Sequence, residues 1–453
     1  MSEVIKLKRG LDIPLTGAAE KRVKRLDCAE RYAVEPTWFS GLTPKLLVSE
    51  GCEVKAGTPL FFDKNRPQLQ VTSPVSGVVA AIRRGEKRRL LAIEITTANN
   101  LEYEPIEVPD LKNASRQELV DVLLHSGLWT LIMQRPYGVI ADPERTPKCV
   151  CISGFDTAPL APDMNFVLKD ERHNLQKGID VLKAVSGATV HLGLKNGTDG
   201  VLNQLDGVQK HFFDGPHPAG NVGVQLHHID PINKGEIVWT IDIQNVAVIG
   251  RLFNDKRVDM RKVIAITGSE VLEPQYVEVI AGAPVVQLAV AGGVKRQRTG
   301  DSFRIIIGNV LTGNRTDADG YLDFYHNHLT IIPEGNKYEL FGWIAPRLKK
   351  FSVSHSYFSW LQKGKKYNLD TNLNGGRRAL VVSGLYDKYL PMDIYPIYLL
   401  KACMAGDIDK MEELGIYEVL PEDFALCEFV DPSKTDMQAV IADGINLMIK
   451  ELS

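Results

Sequence analysis

PKLLVSEGCEVKAGTPLFFDKNRPQLQVTSPVSGVVAAIRRGEKRRLLAIEI, residues 44–95, sets the architecture of the front of the chain. Apolar and polar residues alternate in short runs between Gly51, Gly57, Gly77 and Gly85. Alternation puts every second side chain on one face of a strand, and a glycine every few residues supplies the turns. Strands of four to seven residues at this spacing predict a small β sandwich or barrel.

The pattern changes on moving outward. Ser115–Ser126 reads as a helix, with Ser115 as N-cap, Glu118 three residues on as its capping-box partner, and Leu119, Val122 and Leu123 on one face. Lys148-Cys-Val-Cys-Ile-Ser-Gly154 reads as a short buried strand, Leu175–Ser186 as a helix and Thr189–Leu194 as a second strand. Helices alternating with β-branched strands predict a Rossmann-like α/β layer. Strand signals return at Val263–Thr267, Gln275–Val279, Phe303–Val310 and Leu329–Pro333, which predicts a compact β-rich unit. From Phe341 onward the signals are helical, as at Tyr395–Met404 and Met437–Leu452. A chain of 453 residues has room for about three domains. The pattern divides it into four: 1–104, 105–255, 256–333 and 334–453.

Composition narrows the function classes. With 44% hydrophobic and 24% charged residues the chain has material for several cores, so disorder is excluded as its main state. Net charge is −3, which does not point to nucleic acid. The charge is uneven: residues 1–90 carry +7 and residues 403–453 carry −9, so the two ends suit different partners. The most apolar stretches, Ile237–Gly250 and Val277–Val294, are broken by Asp242, Gln244 and Asn245 and by Glu278, Pro284 and Gln287, so no membrane-spanning run is expected. The opening MSEVIKLKRG has no apolar core of a secretory leader. Cys28, Cys52, Cys149, Cys151, Cys403 and Cys427 are scattered, as free thiols in a reducing compartment are, and they offer no four-thiolate metal or Fe–S set.

Several constellations bear on chemistry. Cys149 and Cys151 share one face of a strand, where packing against a helix accounts for both. His326-Asn-His328 puts two imidazoles on one side without a third ligand nearby, and His227-His228 would point apart in an extended chain. Gly292-Gly293 with Lys295, Arg296 and Arg298 is a basic turn without P-loop spacing, and Asn374-Gly-Gly-Arg-Arg378 reads as a turn into a buried strand Ala379–Val382 that can dock an acidic partner. No G-x-G-x-x-G joins a strand to a helix. Two clusters mix aromatic rings with cations: Arg31–Phe39, with Arg31, Tyr32, Pro36, Trp38 and Phe39, and Leu128–Tyr137, with Arg135, Pro136 and Tyr137. Rings with a few polar groups suit a flat apolar ligand such as a quinone, and they also suit ordinary core packing.

Two resemblances follow. Residues 50–64, E-G-x-x-V-x-x-G-x-x-L-F-x-D-K, with Pro74-x-x-Gly77-x-Val79, resemble the lipoyl/biotinyl carrier fold. Lys64 matches the carrier lysine, but Arg66 and Pro67 stand where carriers place small residues, so the fold is read as a rigid scaffold. The opening Ile5-Lys-Leu-Lys-Arg-Gly-Leu-Asp-Ile-Pro-Leu-Thr-Gly-Ala-Ala-Glu20 resembles the A subunits of sodium-translocating NADH:quinone reductases. So do Gly215-Pro-His-Pro-Ala-Gly220, Glu339-Leu-Phe-Gly-Trp343, Asn372-Leu-Asn-Gly-Gly-Arg377 and Leu426-Cys-Glu-Phe-Val430.

That resemblance implies a multidomain α/β chain: a carrier-like β barrel-sandwich, a Rossmann-like layer, a β-grasp-like unit of the soluble-ligand-binding type and a helical C-terminal domain. It implies a peripheral subunit on the cytoplasmic face of a bacterial inner membrane, working with five other subunits that oxidise NADH, reduce ubiquinone or another quinone, and pump sodium. Related flavin subunits bind flavin and NADH through a glycine-rich loop after S-G-L and hold an Fe–S cluster near the C-terminus. Here Ser126-Gly-Leu128 is followed by Trp-Thr-Leu-Ile-Met-Gln-Arg-Pro-Tyr137, whose bulk prevents close backbone approach to a phosphate, and only Cys427 stands near the C-terminus. The expectation is a chain without its own flavin, Fe–S cluster or metal, whose Arg31–Phe39 and Arg135–Asp142 segments bind or shape a quinone site. The alternative is a docking subunit with no ligand of its own.

Overall fold

The computed structural model describes residues 4–97, 100–294, 302–335, 342 and 348–452. The basic turn residues Lys295, Arg296 and Arg298, and all of Glu339–Trp343 except Gly342, lie outside them.

A seven-stranded sheet lies at the centre. Its order is Val4–Lys6, Gln209–Asp214, Thr189–Lys195, Cys149–Ser153, Val238–Thr240, Met133–Arg135 and Val139–Ile140. The first five run parallel, Met133–Arg135 runs antiparallel to them, and Val139–Ile140 turns back antiparallel to Met133–Arg135. Alternation along the strands feeds two cores. Val150, Ile152, Val190 and Leu192 pack with Leu175, Ile179, Val246 and Ile249 of helices Arg172–Ser186 and Ile243–Asp255. Cys149, Cys151 and Phe213 turn the other way, onto Val224, Leu399, Leu400, Phe424 and Cys427. The two strand cysteines are therefore packing residues, and burial pushes both thiols up to about 12.

The front of the chain forms two small sheets that close on each other. One is ordered Arg31–Val34, Leu90–Thr97, Gly77–Arg84, Glu53–Val54, and the other Pro44–Leu46, Pro59–Asp63, Arg66–Thr72. Lys64 sits in the two-residue turn between Asp63 and Arg66, and buried Asp63 holds that turn by accepting from the Asn65 amide and the Arg66 guanidinium. A six-stranded mixed sheet, carrying helix Val285–Gly292, forms the third unit.

Two early strands pair outside the two small sheets: Val4–Lys6 pairs with Gln209–Asp214, and Glu20–Arg25 pairs with Gln275–Ile280. The opening 25 residues thus lend edge strands to two other sheets, because an unpaired sheet edge needs a backbone partner and sequence separation is no obstacle to it. The helical reading of the tail fails over its described residues 348–395, whose only helical turns are short 3-10 ones, and α-helices begin at Pro396–Ala405. Ala379–Val382 is no buried strand. Val381 and Val382 are exposed, and the backbone bonds from Arg378 to the Ser433 carbonyl instead of joining a ladder. His227 and His228 lie in a helix, Val222–Ile229, not in an extended chain.

The two long helices on the central sheet meet through glycines. A Cβ on Gly178 would lie 2.1 Å from the Val246 carbonyl oxygen, and one on Gly250 would lie 1.8 Å from that of Asn174. Gly250→Ala must push the helices apart and is expected to cost about 1–3 kcal/mol. Gly376→Ala, where nothing stands within 4 Å, is expected to stay within about 0.5 kcal/mol. Thermal melting of the two variants beside the parent checks this.

Candidate functional site

Open α/β sheets bind ligands where the loops leave the carboxyl ends of the strands. Here that mouth is filled by the chain itself. The loop after Ser153 and the loop after Asp214 close on each other: Ser153 Oγ donates to the Gly220 carbonyl (2.9 Å) and the Gly220 amide donates to Thr157 Oγ1 (2.9 Å). The N-terminal strap lies across them. The Leu11 amide donates to the His217 carbonyl (2.8 Å), and Asp12 accepts from the His217 amide (2.9 Å). Gly10 is required at that crossing, because a Cβ would lie 2.2 Å from the His217 oxygen. Burial pushes the His217 imidazole down to about 4, so it is neutral at physiological pH.

Arg135, Pro136 and Tyr137 leave the antiparallel edge of the same sheet and turn toward the C-terminal helices. Arg135 is 1% exposed. Its Nη1 donates to Asp423 Oδ2 (3.2 Å) and the Glu418 carbonyl (3.2 Å), and its Nη2 donates to Glu422 (2.5 Å). Tyr137 has φ 84° and packs its ring edge-on to Tyr417 at 6.3 Å. The Tyr417 hydroxyl donates to Glu412, which also pairs with Lys234 at 2.6 Å. The guanidinium that the sequence offered to a quinone carbonyl thus has its terminal nitrogens engaged by the tail.

Arg31–Phe39 lies elsewhere. The Tyr32 hydroxyl is buried, accepts from the Ala29 amide (3.2 Å), and burial pushes it up to about 12. Arg31 is exposed and sits 3.6 Å from buried Glu94, which also pairs with Arg83 at 2.5 Å. Pro36 starts a 3-10 turn that presents Trp38 and Phe39. Their rings meet Phe324 at 5.6 Å each, and Phe39 also meets Phe61 (6.0 Å) and Tyr325 (6.2 Å). Tyr325 donates to the Thr130 carbonyl (2.9 Å), so three units join at this aromatic cluster. The two predicted segments pass each other at Gly41, whose Cβ position is 3.5 Å from Val139. Their aromatic faces diverge from there and do not form one wall.

The structure adds titratable groups to the Trp38 cluster that sequence reading missed. Burial raises the Glu35 carboxyl, with Thr37 donating to it at 3.4 Å. Asp323 accepts from the backbone amides of Tyr325 and His326 (2.8 Å each) and lies 2.6 Å from His326 Nδ1. Burial opposes its ionisation, but His326 and those amides outweigh it and hold Asp323 at about 2. Burial likewise opposes a charged His326, and Asp323 outweighs it, so His326 is raised. Lys262, buried beside them, donates to the Phe324 carbonyl (3.1 Å). The Asp323–His326 spacing was visible in the sequence, where His326 had been paired with His328 instead. His328 is buried on strand His328–Pro333 and turned into the sheet.

Two clefts open elsewhere. One, of about 740 Å³, is lined by Ile5, Lys6, Gln209, His211 and His228. The other, of about 520 Å³, is lined by Pro59, Gln70, Glu104, Ile106, Val122 and His125. Neither includes a residue of the two aromatic clusters. Among the described residues no three His, Cys, Asp or Glu side chains are grouped for a metal ion. Cys427 is buried with its thiol pushed up by burial, and Asp431 is used locally, accepting from the Tyr386 hydroxyl (2.8 Å) and the Ser433 amide (2.8 Å).

Two expectations follow. Arg135→Met leaves Asp423, fully buried, without its cation, which is expected to cost about 3–5 kcal/mol. Urea unfolding and faster proteolysis of the C-terminal helices check it. The Asp323–His326 pair contributes stability only while both partners are charged. Asp323 is lowered, so its share is present above the unfolded carboxylate value and fades as pH falls toward about 2. His326 is raised, so its share is present below the unfolded imidazole value and fades as pH rises through the folded one. The stability difference between the parent and Asp323→Asn is expected to peak between about pH 4 and 6.5. Melting temperatures across pH check it.

The chain is similar to known proteins along its whole length. Residues 5–98 match the family model described as the NqrA N-terminal barrel-sandwich hybrid domain, residues 114–258 the NqrA second alpha/beta domain, and residues 263–318 the NQRA C-terminal domain. Similar curated proteins include the A subunit of the Na(+)-translocating NADH-quinone reductase from Neisseria meningitidis serogroup B, 36% identical over 99% of this chain and 100% of that protein. Those of Vibrio vulnificus and Yersinia pestis bv. Antiqua are 34% and 35% identical over the same shares. Among solved structures, an NAD+-reducing [NiFe]-hydrogenase aligns at TM-score 0.37 and 11% identity over 68% of this chain and 56% of that one, which is too weak a likeness to bear on fold or activity. Three domain models in order along the chain and full-length relatives above 30% identity place this chain in the NqrA family, the A subunits of Na(+)-translocating NADH-quinone reductases.

Proposed function

We propose that this chain is a peripheral subunit of a sodium-pumping NADH–quinone oxidoreductase and that it shapes the quinone site through the aromatic cluster around Trp38. The observation that carries the first part is the full-length, collinear match to subunits of that name. In this reading the chain works on the cytoplasmic face of the membrane with five other subunits, which hold the flavins and oxidise NADH. It carries no flavin or Fe–S cluster of its own. The residues support that: the strand ends are closed by Gly10–Asp12, the segment after Gly127 is buried rather than looped out, and Cys427 is a core thiol. In the described residues no helix is long and apolar enough to cross a membrane.

Within the quinone part, the supporting observation is that Trp38 is only partly covered where it packs on Phe324, while Glu35 and His326 lie close in the chain to these rings. A partly exposed ring can stack on a flat quinone, and a neighbouring carboxylic acid or imidazolium can donate a hydrogen bond to a carbonyl that gains negative charge. Arg135 and Tyr137 act one step removed, by fixing the tail against the sheet.

In the assembled complex, Trp38→Ala is expected to raise the quinone KM about three- to tenfold, the worth of one aromatic contact. NADH oxidation with an artificial acceptor should stay unchanged. An unaltered quinone KM would favour a docking subunit without a ligand.

A further inference from the structure

Outside the Trp38 cluster the molecule offers both clefts, the paired histidines His191 and His211, and several exposed faces. The surface formed by residues 348–382 carries furthest. Large apolar side chains that normally hide are open there: Leu348 (57% exposed), Phe358 (43%), Trp360 (50%), Leu361 (61%) and Leu373 (54%). Exposed large apolar side chains, where they gather, mark an interaction site, and three of these five, Phe358, Trp360 and Leu361, share one 3-10 turn.

The same stretch holds Lys349, Lys350, Lys363, Lys365, Lys366, Arg377 and Arg378 against one carboxylate, Asp370. Among the described residues none of Lys349, Lys363, Lys365, Lys366, Arg377 and Arg378 pairs with a carboxylate. The stretches are held side by side. Lys350 Nζ donates to Asn374 Oδ1 (3.0 Å), and Lys365 Nζ donates to the Leu348 carbonyl. The Trp360 ring is braced by His355, stacked at 5.8 Å and 21°.

We propose that this surface docks on an anionic lipid bilayer, with Phe358, Trp360 and Leu361 entering the headgroup boundary and the lysines lying over lipid phosphates. Charge complementarity selects this occupant. Cores of protein–protein interfaces are depleted in lysine, whereas a bilayer interface accepts tryptophan, leucine and lysine together. Five of the seven cations here are lysines. Each cation near an anionic bilayer adds an increment of attraction that salt weakens. The proposal is independent of the quinone reading, since it uses none of the residues of the Trp38 cluster.

The test is co-sedimentation of the full chain with vesicles of phosphatidylcholine alone or mixed with phosphatidylglycerol, across a salt series. Binding to the phosphatidylglycerol vesicles, weakening as salt rises, is expected. Lys363→Gln with Lys366→Gln should lower affinity at least tenfold and flatten the salt dependence. Trp360→Ser with Leu361→Ser should lower affinity while keeping the salt slope. Both pairs are exposed, and circular dichroism matching the parent confirms that they fold. Equal binding to the two vesicle types, no binding to either, or variants that bind as the parent does would overturn the proposal. Binding to a polyglutamate peptide by a chain that ignores the vesicles would also overturn it, in favour of an acidic protein partner.

Discussion

A cation taken out of water has to be compensated on the spot, and Arg135 shows what that demands of a fold. Its strand belongs to the central sheet, but its compensation comes from Glu418, Glu422 and Asp423, nearly three hundred residues later. The sheet edge and the C-terminal helices therefore have to close together. Gly223 allows this, because a Cβ there would lie 2.4 Å from Arg135 Nη1. The acidic excess of the tail, first visible as bulk charge, has part of its explanation at this junction.

The same logic governs the other end of the chain. The first residues act as a strap: one strand completes the central sheet, the next segment lies over the loops at its carboxyl end, and another strand extends the third sheet. Backbone groups left over at three places are satisfied by one short stretch. The second of these contacts ties the strap to the loops that leave the carboxyl ends of the strands. At another seam between units the rings of Trp38, Phe39, Phe324 and Tyr325 meet, with Glu35, Asp323 and His326 in the same segments.

Much of the secondary structure was legible because it rests on local rules. The Ser115–Glu118 capping box forms as read, and so do strand Cys149–Ser153 and helix Met437–Leu452. Reading failed where a local signal met a distant partner. Ala379-Leu-Val-Val382 has the composition of a buried strand but has no ladder to join, so it lies exposed. His326 looked like half of a histidine pair, yet its partner is Asp323, because the loop turns its ring back by three residues.

Two aromatic–cationic clusters were both read as segments that bind or shape a quinone site, since sequence carries residue type but not direction. The structure separates them: Trp38 faces the third unit and Tyr137 faces the tail. Local pattern and residue order were enough for most element types and for the family, because those depend on periodicity, caps and motifs within a few residues. Which strands share a sheet, which charges are neutralised and which ring remains open to a ligand depend on contacts between residues far apart in sequence. Those were decided only when the chain closed on itself.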